Sequence, residues 1–157
     1  RGYSGALTEG LAGLEHEVAC VENALAGLMC RGKLHTPTLT WILVSPMNYT
    51  RLFLGGPLGT DAKNIASGTL VKLDFADPNS PEEPLESWVL GSQQVPIGTM
   101  RPTHYTLVYR RPQHTPDHLR HLQELTYHLT FMYFNVPGAV RYPAPLQNAK
   151  KLLQLVR

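Results

Sequence analysis

His114, His118 and His121 stand at helical i, i+4 and i+7 in this 157-residue chain, a spacing that suits a metal. Only Asp117 and Glu124 lie near as carboxylates, and His114 precedes the expected helix cap, so a solvated helix face is the better reading. Cys20 and Cys30 are the two cysteines. On one helix, ten residues at 1.5 Å rise would separate them by roughly 15 Å, too far for a disulfide. Two unpaired thiols point to a reducing compartment, cytosol or nucleus. No nucleophile elbow, P-loop, paired-carboxylate motif or metal-type CxxC is present, and no cofactor is expected. What remains is charge. From Arg1 to Met100 there are 6 Lys/Arg against 10 Asp/Glu, a net of −4, whereas from Arg101 to Arg157 there are 8 against 2, a net of +6. Such an asymmetry attracts a polyanion, although a basic face that is merely solvated accounts for it equally well.

The elements that must position these groups follow from periodicity. Leu7, Leu11, Leu14, Val18, Val21, Leu25 and Leu28 repeat at alternating steps of four and three, one apolar stripe on a helix of about six turns ending near Gly32. Leu39–Val44 is a nearly unbroken apolar run, typical of a strand covered on both faces in a parallel sheet. Gly55 through Gly68 reads as loop, Thr69 to Phe75 as a half-buried strand, and Asp77 to Pro84 as an exposed acidic loop. Ser87 to Leu90 and Thr103 to Tyr109 are two further strands. Thr115-Pro116-Asp117 starts a helix whose apolar face carries Leu119, Leu122, Leu125, Leu129 and Met132. Pro143-Ala144-Pro145 starts a last helix with Ala149, Leu152, Leu153 and Val156 inside. Helix, strands and helices in this order predict an α/β fold, a mixed sheet flanked by helices. The chain is 43% hydrophobic and 17% charged, below the charged quarter or so usual in free-standing domains. That balance, and an opening at Arg1 without Met, suggest a segment partly covered by a larger protein. No apolar run approaches the roughly 20 residues that span a bilayer, no signal peptide is visible, and no membrane partner is expected.

Several strings resemble the PIWI domain of eukaryotic Argonautes, in that family's order and near its spacing. Tyr3-Ser4-Gly5-Ala6-Leu7-Thr8-Glu9-Gly10 is similar to Y-R-D-G-V-S-E-G, and His16-Glu17 falls where the following helix often carries His-Glu. Thr50-Arg51-Leu52-Phe53 matches T-R-L-F, and Asn64 to Val71 resembles N-x-x-x-G-T-x-V. Gly98 to Tyr105 matches G-T-x-R-P-T-H-Y, Leu122 to Tyr127 matches L-Q-x-L-T-Y, and Tyr142-Pro143-Ala144-Pro145 resembles I-P-A-P. The match runs from Tyr3 to about Val156. It implies that residues 1–157 are the C-terminal portion of an RNase H-like PIWI fold, with the first strands missing from this segment. The remainder of the Argonaute chain, the MID domain and N-terminal PIWI strands, would complete it, because a sheet lacking them leaves an open edge and a bare apolar face.

Active members of that family cut RNA with two divalent metals held by carboxylates and a fourth His or Asp. The resemblance puts Gly5 at one acid position and Lys150 at the fourth-ligand position. Neither can ligate a hard cation, so no metal site and no catalytic residues are expected, and slicer activity is expected to be lost. The resemblance also gives guide-phosphate contacts to Arg51, Thr99, Arg101 and Tyr133. The basic pair expected upstream of T-R-L-F is replaced by Pro46-Met47, and the basic residue after Tyr133 by Asn135; Arg141, Lys150 and Lys151 are the candidates to compensate. For Arg51 and Arg101 the alternative is an internal salt bridge or a loop-pinning hydrogen bond, and His104 reads as a satisfied core group. The expected partners are a small guide RNA, its target RNA and silencing proteins, in cytoplasm or nucleus. The rival expectation is a degenerate PIWI-like module with a structural or protein-recruiting role, favoured by Pro46-Met47 and the low net charge.

Overall fold

The computed structural model describes residues 16–27, 39–45, 49–55, 62–73, 86–111 and 116–156. Gly5, Cys30, Pro46-Met47, His114 and the N-terminal part of the long apolar stripe lie outside them. The contacts divide the chain into two compact units, Arg1–Trp41 with Val108–Gln113, and Ile42–Leu107 with His114–Arg157. In the first unit residues 16–27 form a helix, α1. Val18 is buried and Val21 and Leu25 are half-buried, the stripe predicted from their spacing, while Cys20 on the other side is exposed.

A four-stranded sheet runs β1 (Leu39–Ser45), β6 (Thr103–Arg111), β5 (Ser87–Gly91), β4 (Thr69–Leu73), in that spatial order. β4 pairs antiparallel with β5, and β5 antiparallel with β6. Two short strands, β2 (Phe53–Leu54) and β3 (Lys63–Asn64), make a separate antiparallel pair. This pair lies partly within the stretch expected to be loop: two residues are too few to leave a period in the sequence. β1 also departs from expectation. It stands at the sheet's edge and is half-buried along its length, not covered on both faces. The strand buried throughout is β5.

Trp88 and Tyr105 are directly opposed across β5 and β6, their rings stacked at 5.5 Å and both 0% exposed. Burial of two such side chains contributes roughly 4–6 kcal/mol each in transfer free energy, an upper estimate. Leu90, Leu107 and Leu119 complete the core, with Ile42, Val44, Leu70, Leu122 and Tyr127 packed against it. Burial also pushes the Tyr105 phenol pKa well up, because the phenolate loses its water.

α2 (Pro116–His128) starts at the expected proline and leads into a 3-10 turn, Leu129–Phe131. Only part of the leucine stripe read from the sequence faces inward: Leu119 is in the core and Leu122 packs against it. Leu119, Gln123, Thr126 and Thr130 are buried, whereas Leu125 is 50% and Met132 68% exposed. At 100° per residue Leu125 points away from Leu119, and Met132 lies beyond the helix, at the end of the 3-10 turn. The buried threonines need no outside partner, since Thr126 Oγ1 donates to the Gln123 carbonyl at 2.7 Å and Thr130 Oγ1 to that of Tyr127 at 2.6 Å. α3 (Ala144–Leu155) overturns a second expectation: Ala149 is exposed, and so are Leu152 (63%), Leu153 (69%) and Val156 (79%). Among the described residues nothing covers that face; the helix is held by its first turn, with Ala144 buried.

Candidate nucleic-acid interface

Polar side chains at one end of the sheet tie together the segments that carry the basic residues. Asn64, in β3, is the hub. Its amide donates to the Val95 carbonyl at 3.1 Å and the Gly98 carbonyl at 2.8 Å, and its side-chain oxygen accepts the Met100 N–H at 2.9 Å. This clamps the loop bearing Thr99 and Arg101, both exposed. Gly98 turns that loop with φ +87, a left-handed conformation that L side chains rarely adopt. Asn64 is also paired with Phe53, two residues after Arg51, so Arg51 enters the same neighbourhood. Arg51 is half-buried and its guanidinium donates to the Thr50 carbonyl at 2.8 Å. That is a bond that pins its own loop, as the alternative reading allowed.

Behind this loop Gly91 lies so close to its neighbours that a Cβ would stand 2.5 Å from Met100 Sδ and 2.7 Å from Ile65 Cδ1. Beside it, Ser92 and Thr103, both buried, anchor the next segment. Ser92 Oγ donates to the Val140 carbonyl at 2.8 Å and lies 3.2 Å from that of Arg141, which also accepts from Thr103 Oγ1 at 3.1 Å. The Val140 N–H donates to the Thr130 carbonyl at 2.9 Å. Arg141 is thereby fixed through its backbone, and its side chain is set over the ring of Tyr142, 5.3 Å from the centroid. Nearly two turns into α3, Lys150 Nζ is set over the same ring at 5.4 Å. Each such contact is worth about 0.5–1 kcal/mol where water has access. Lys150 and Lys151 are exposed, Arg141 and Tyr142 half-buried.

Six of the seven predicted contact residues (Arg51, Thr99, Arg101, Arg141, Lys150 and Lys151) are thus partly or fully open to solvent. Four, Arg51, Thr99, Arg101 and Arg141, lie on segments joined by these bonds, and Lys150 and Lys151 follow on α3. Tyr133 differs: it is buried, and its hydroxyl accepts from the Asn135 amide at 3.2 Å. His104 is half-buried, and burial lowers its pKa. Sequence reasoning missed the anchoring roles of Asn64, Ser92 and Thr103, and missed Tyr142 as a platform. For Tyr142 a signal existed, since an aromatic stands where the family string I-P-A-P has isoleucine.

As for metal chemistry, an ammonium has no lone pair and repels a cation, so Lys150 does not fit a divalent ion at its position. His118 and His121 are exposed, and no group of three His, Cys, Asp or Glu side chains suited to a metal occurs among the described residues.

A mixed α/β architecture with an antiparallel core sheet defines a class, and comparison with known proteins names it. Residues 14–157 match the model of the Piwi domain, and the chain belongs to that family. It is 40% identical over 128 residues to "Piwi-like protein Ago3" of Bombyx mori, covering 80% of this chain but 12% of that protein. The crystal structure of Drosophila Piwi superposes with a TM-score of 0.70 at 34% identity, over 90% of this chain and 18% of that one. The C-terminal lobe of a budding yeast Argonaute gives 0.66 at 24%, over 87% and 27%, a likeness of fold. The chain therefore spans about an eighth of the length of the curated relative and has the RNase H-like fold of the C-terminal lobe of Argonaute and Piwi proteins.

Proposed function

We propose that residues 1–157 are the C-terminal portion of a PIWI domain in an Argonaute-type protein that holds a small guide RNA and its target in RNA silencing and no longer cuts. The observation that carries the reading is a Piwi-domain match over residues 14–157 combined with the tethered, solvent-facing set Arg51, Thr99, Arg101 and Arg141 with Lys150 and Lys151. Lys and Arg at such positions contact phosphates, which fix the register of a nucleic acid without reading its sequence. MID and the N-terminal PIWI strands, supplied by the rest of the chain, would cover the apolar side of α3. Silencing partner proteins would act through the assembled molecule, in cytoplasm or nucleus. Loss of cutting rests on Gly5 and Lys150, which stand at two metal-ligand positions by resemblance and offer no donor atom.

A second reading, a PIWI-like module that recruits proteins and has drifted from RNA, is favoured by exposed Phe131, Met132, Phe134 and Val136, which suit a protein contact better than a phosphate. Binding of the intact protein to a 5′-phosphorylated short RNA across a salt series separates the two. The guide-holder gives nanomolar affinity with a slope of about one unit per phosphate contact. Weak binding that ignores the 5′ phosphate supports the scaffold. Arg51→Ala and Arg101→Ala weaken all guide sequences alike; a sequence-dependent loss counts against phosphate contacts.

A further inference from the structure

We infer that the indole N–H of Trp88 and the phenol of Tyr105 share one internal water molecule, held between the sheet and α2 and completed by the side-chain amide of Gln123. The inference goes beyond the RNA-holding reading and does not depend on it. Three observations carry it. Trp88 and Tyr105 are directly opposed across β5 and β6, with their rings stacked at 5.5 Å and only 3° from parallel, so both polar rims lie in one layer of the core. Both side chains are 0% exposed, solvent reaches neither Trp88 Nε1 nor the Tyr105 hydroxyl, and neither atom has a hydrogen-bond partner among the described residues. Finally, the helix packed on them brings a polar side chain to the same layer. Leu119 of α2 belongs to their cluster, and Gln123, one turn on and also buried, shares its helix face. The neighbouring buried threonines, Thr126 and Thr130, spend their hydroxyl protons on carbonyls one turn back. Gln123 is the side chain left to complete the site.

The chemistry of the site selects water. Buried donors are nearly always met, and each one left unmet shifts the folding equilibrium about tenfold or more toward the unfolded chain. A group from another polypeptide cannot reach atoms that solvent does not touch. An ion is disfavoured too, since the same burial that raises the Tyr105 pKa penalises any charge placed there. Water is neutral and small, and it needs two to four polar partners. Here it accepts from the indole, while the phenol and the amide each offer a donor and an acceptor. The two largest buried side chains of the core are thereby fixed by polar contact as well as by packing.

The test is a crystal structure of the intact protein at a resolution that shows ordered solvent, joined to the stability of two variants. The wild-type map is expected to hold a single solvent peak within about 3.2 Å of both Trp88 Nε1 and the Tyr105 hydroxyl. Tyr105→Phe keeps the ring and removes only the hydroxyl, so it is expected to lower the folding equilibrium constant about tenfold in chemical denaturation. Gln123→Leu gives a similar loss. The double variant loses little more than the larger single one, because both remove the same water. A phenol with no partner would behave in the opposite way: Tyr105→Phe would leave stability unchanged or raise it, and that result overturns the site. A map with no peak at either atom, with separate peaks at the two, or with a protein group as the acceptor overturns it as well, and so do additive losses. The wild-type map decides the matter even where a variant fails to fold.

Discussion

Two regions of the second unit handle polar and apolar groups in opposite ways. At the end of the sheet, Asn64, Ser92 and Thr103 spend their hydrogen bonds inside the chain, on the carbonyls and amide of segments 95–100 and 140–141. Along α3, leucines and lysines alike face outward. The first region holds its own loops still, and the second leaves its side chains open to solvent. Substitutions in the first should therefore appear as lost stability, and polar ones in the second as lost binding at unchanged stability.

The largest stability effect is expected at the hub. Asn64→Ala strands the part-buried Met100 N–H and Val95 carbonyl, while the exposed Gly98 carbonyl turns to water, and it should cost about 2 kcal/mol by chemical denaturation of the intact protein, since each buried group left unsatisfied costs about 1–3 kcal/mol. A change below 1 kcal/mol would mean that the loop is held by other means. Next comes Gly91→Ala, whose new methyl meets Met100 and Ile65 inside van der Waals distance; overpacking of this kind costs about 1–3 kcal/mol.

His104 offers a pH test of the same region. Burial lowers its pKa from the ordinary 6.5, so the fold prefers the neutral ring. The unfolded chain takes up the proton first as pH falls. This contribution to stability is full above pH 6.5 and is lost as pH drops through 6.5 toward the folded value. The melting temperature of His104→Asn should fall less steeply than that of wild type over this window; parallel curves would remove His104 from the account. On α3 the contrast should reverse. Lys151→Ala is expected to leave stability within about 0.5 kcal/mol while lowering the salt slope of RNA binding by about one. A destabilised protein would place Lys151 with the anchoring residues instead.

The same two regions differ in how far sequence exposes them. Strands β4, β5 and β6, the proline start of α2 and the stripe of α1 were legible because apolar period and turn chemistry agree there. The leucines of α2 misled, since Leu125 and Met132 lie on the outer side while Gln123, Thr126 and Thr130 are buried, each threonine satisfied by a carbonyl one turn back. β2 and β3 were invisible because a two-residue ladder has no period. Basic residues could be singled out from a family resemblance, but not the hydroxyls and amide that hold them, because Asn64 bonds atoms 31 to 36 positions away and Ser92 atoms 48 and 49 away. α3 shows the opposite failure: its leucines read as interior from pattern alone, and pattern carries no information about whether the covering surface belongs to the same segment.

The central claim is a Piwi-domain protein that grips RNA and leaves it whole, and the fate of a bound target tests it most directly. The intact protein, loaded with a guide and mixed with an end-labelled, fully matched target in Mg²⁺, is expected to retain that target at full length for as long as the complex lasts. A single discrete product, cut opposite a fixed guide position and abolished by EDTA, would contradict it.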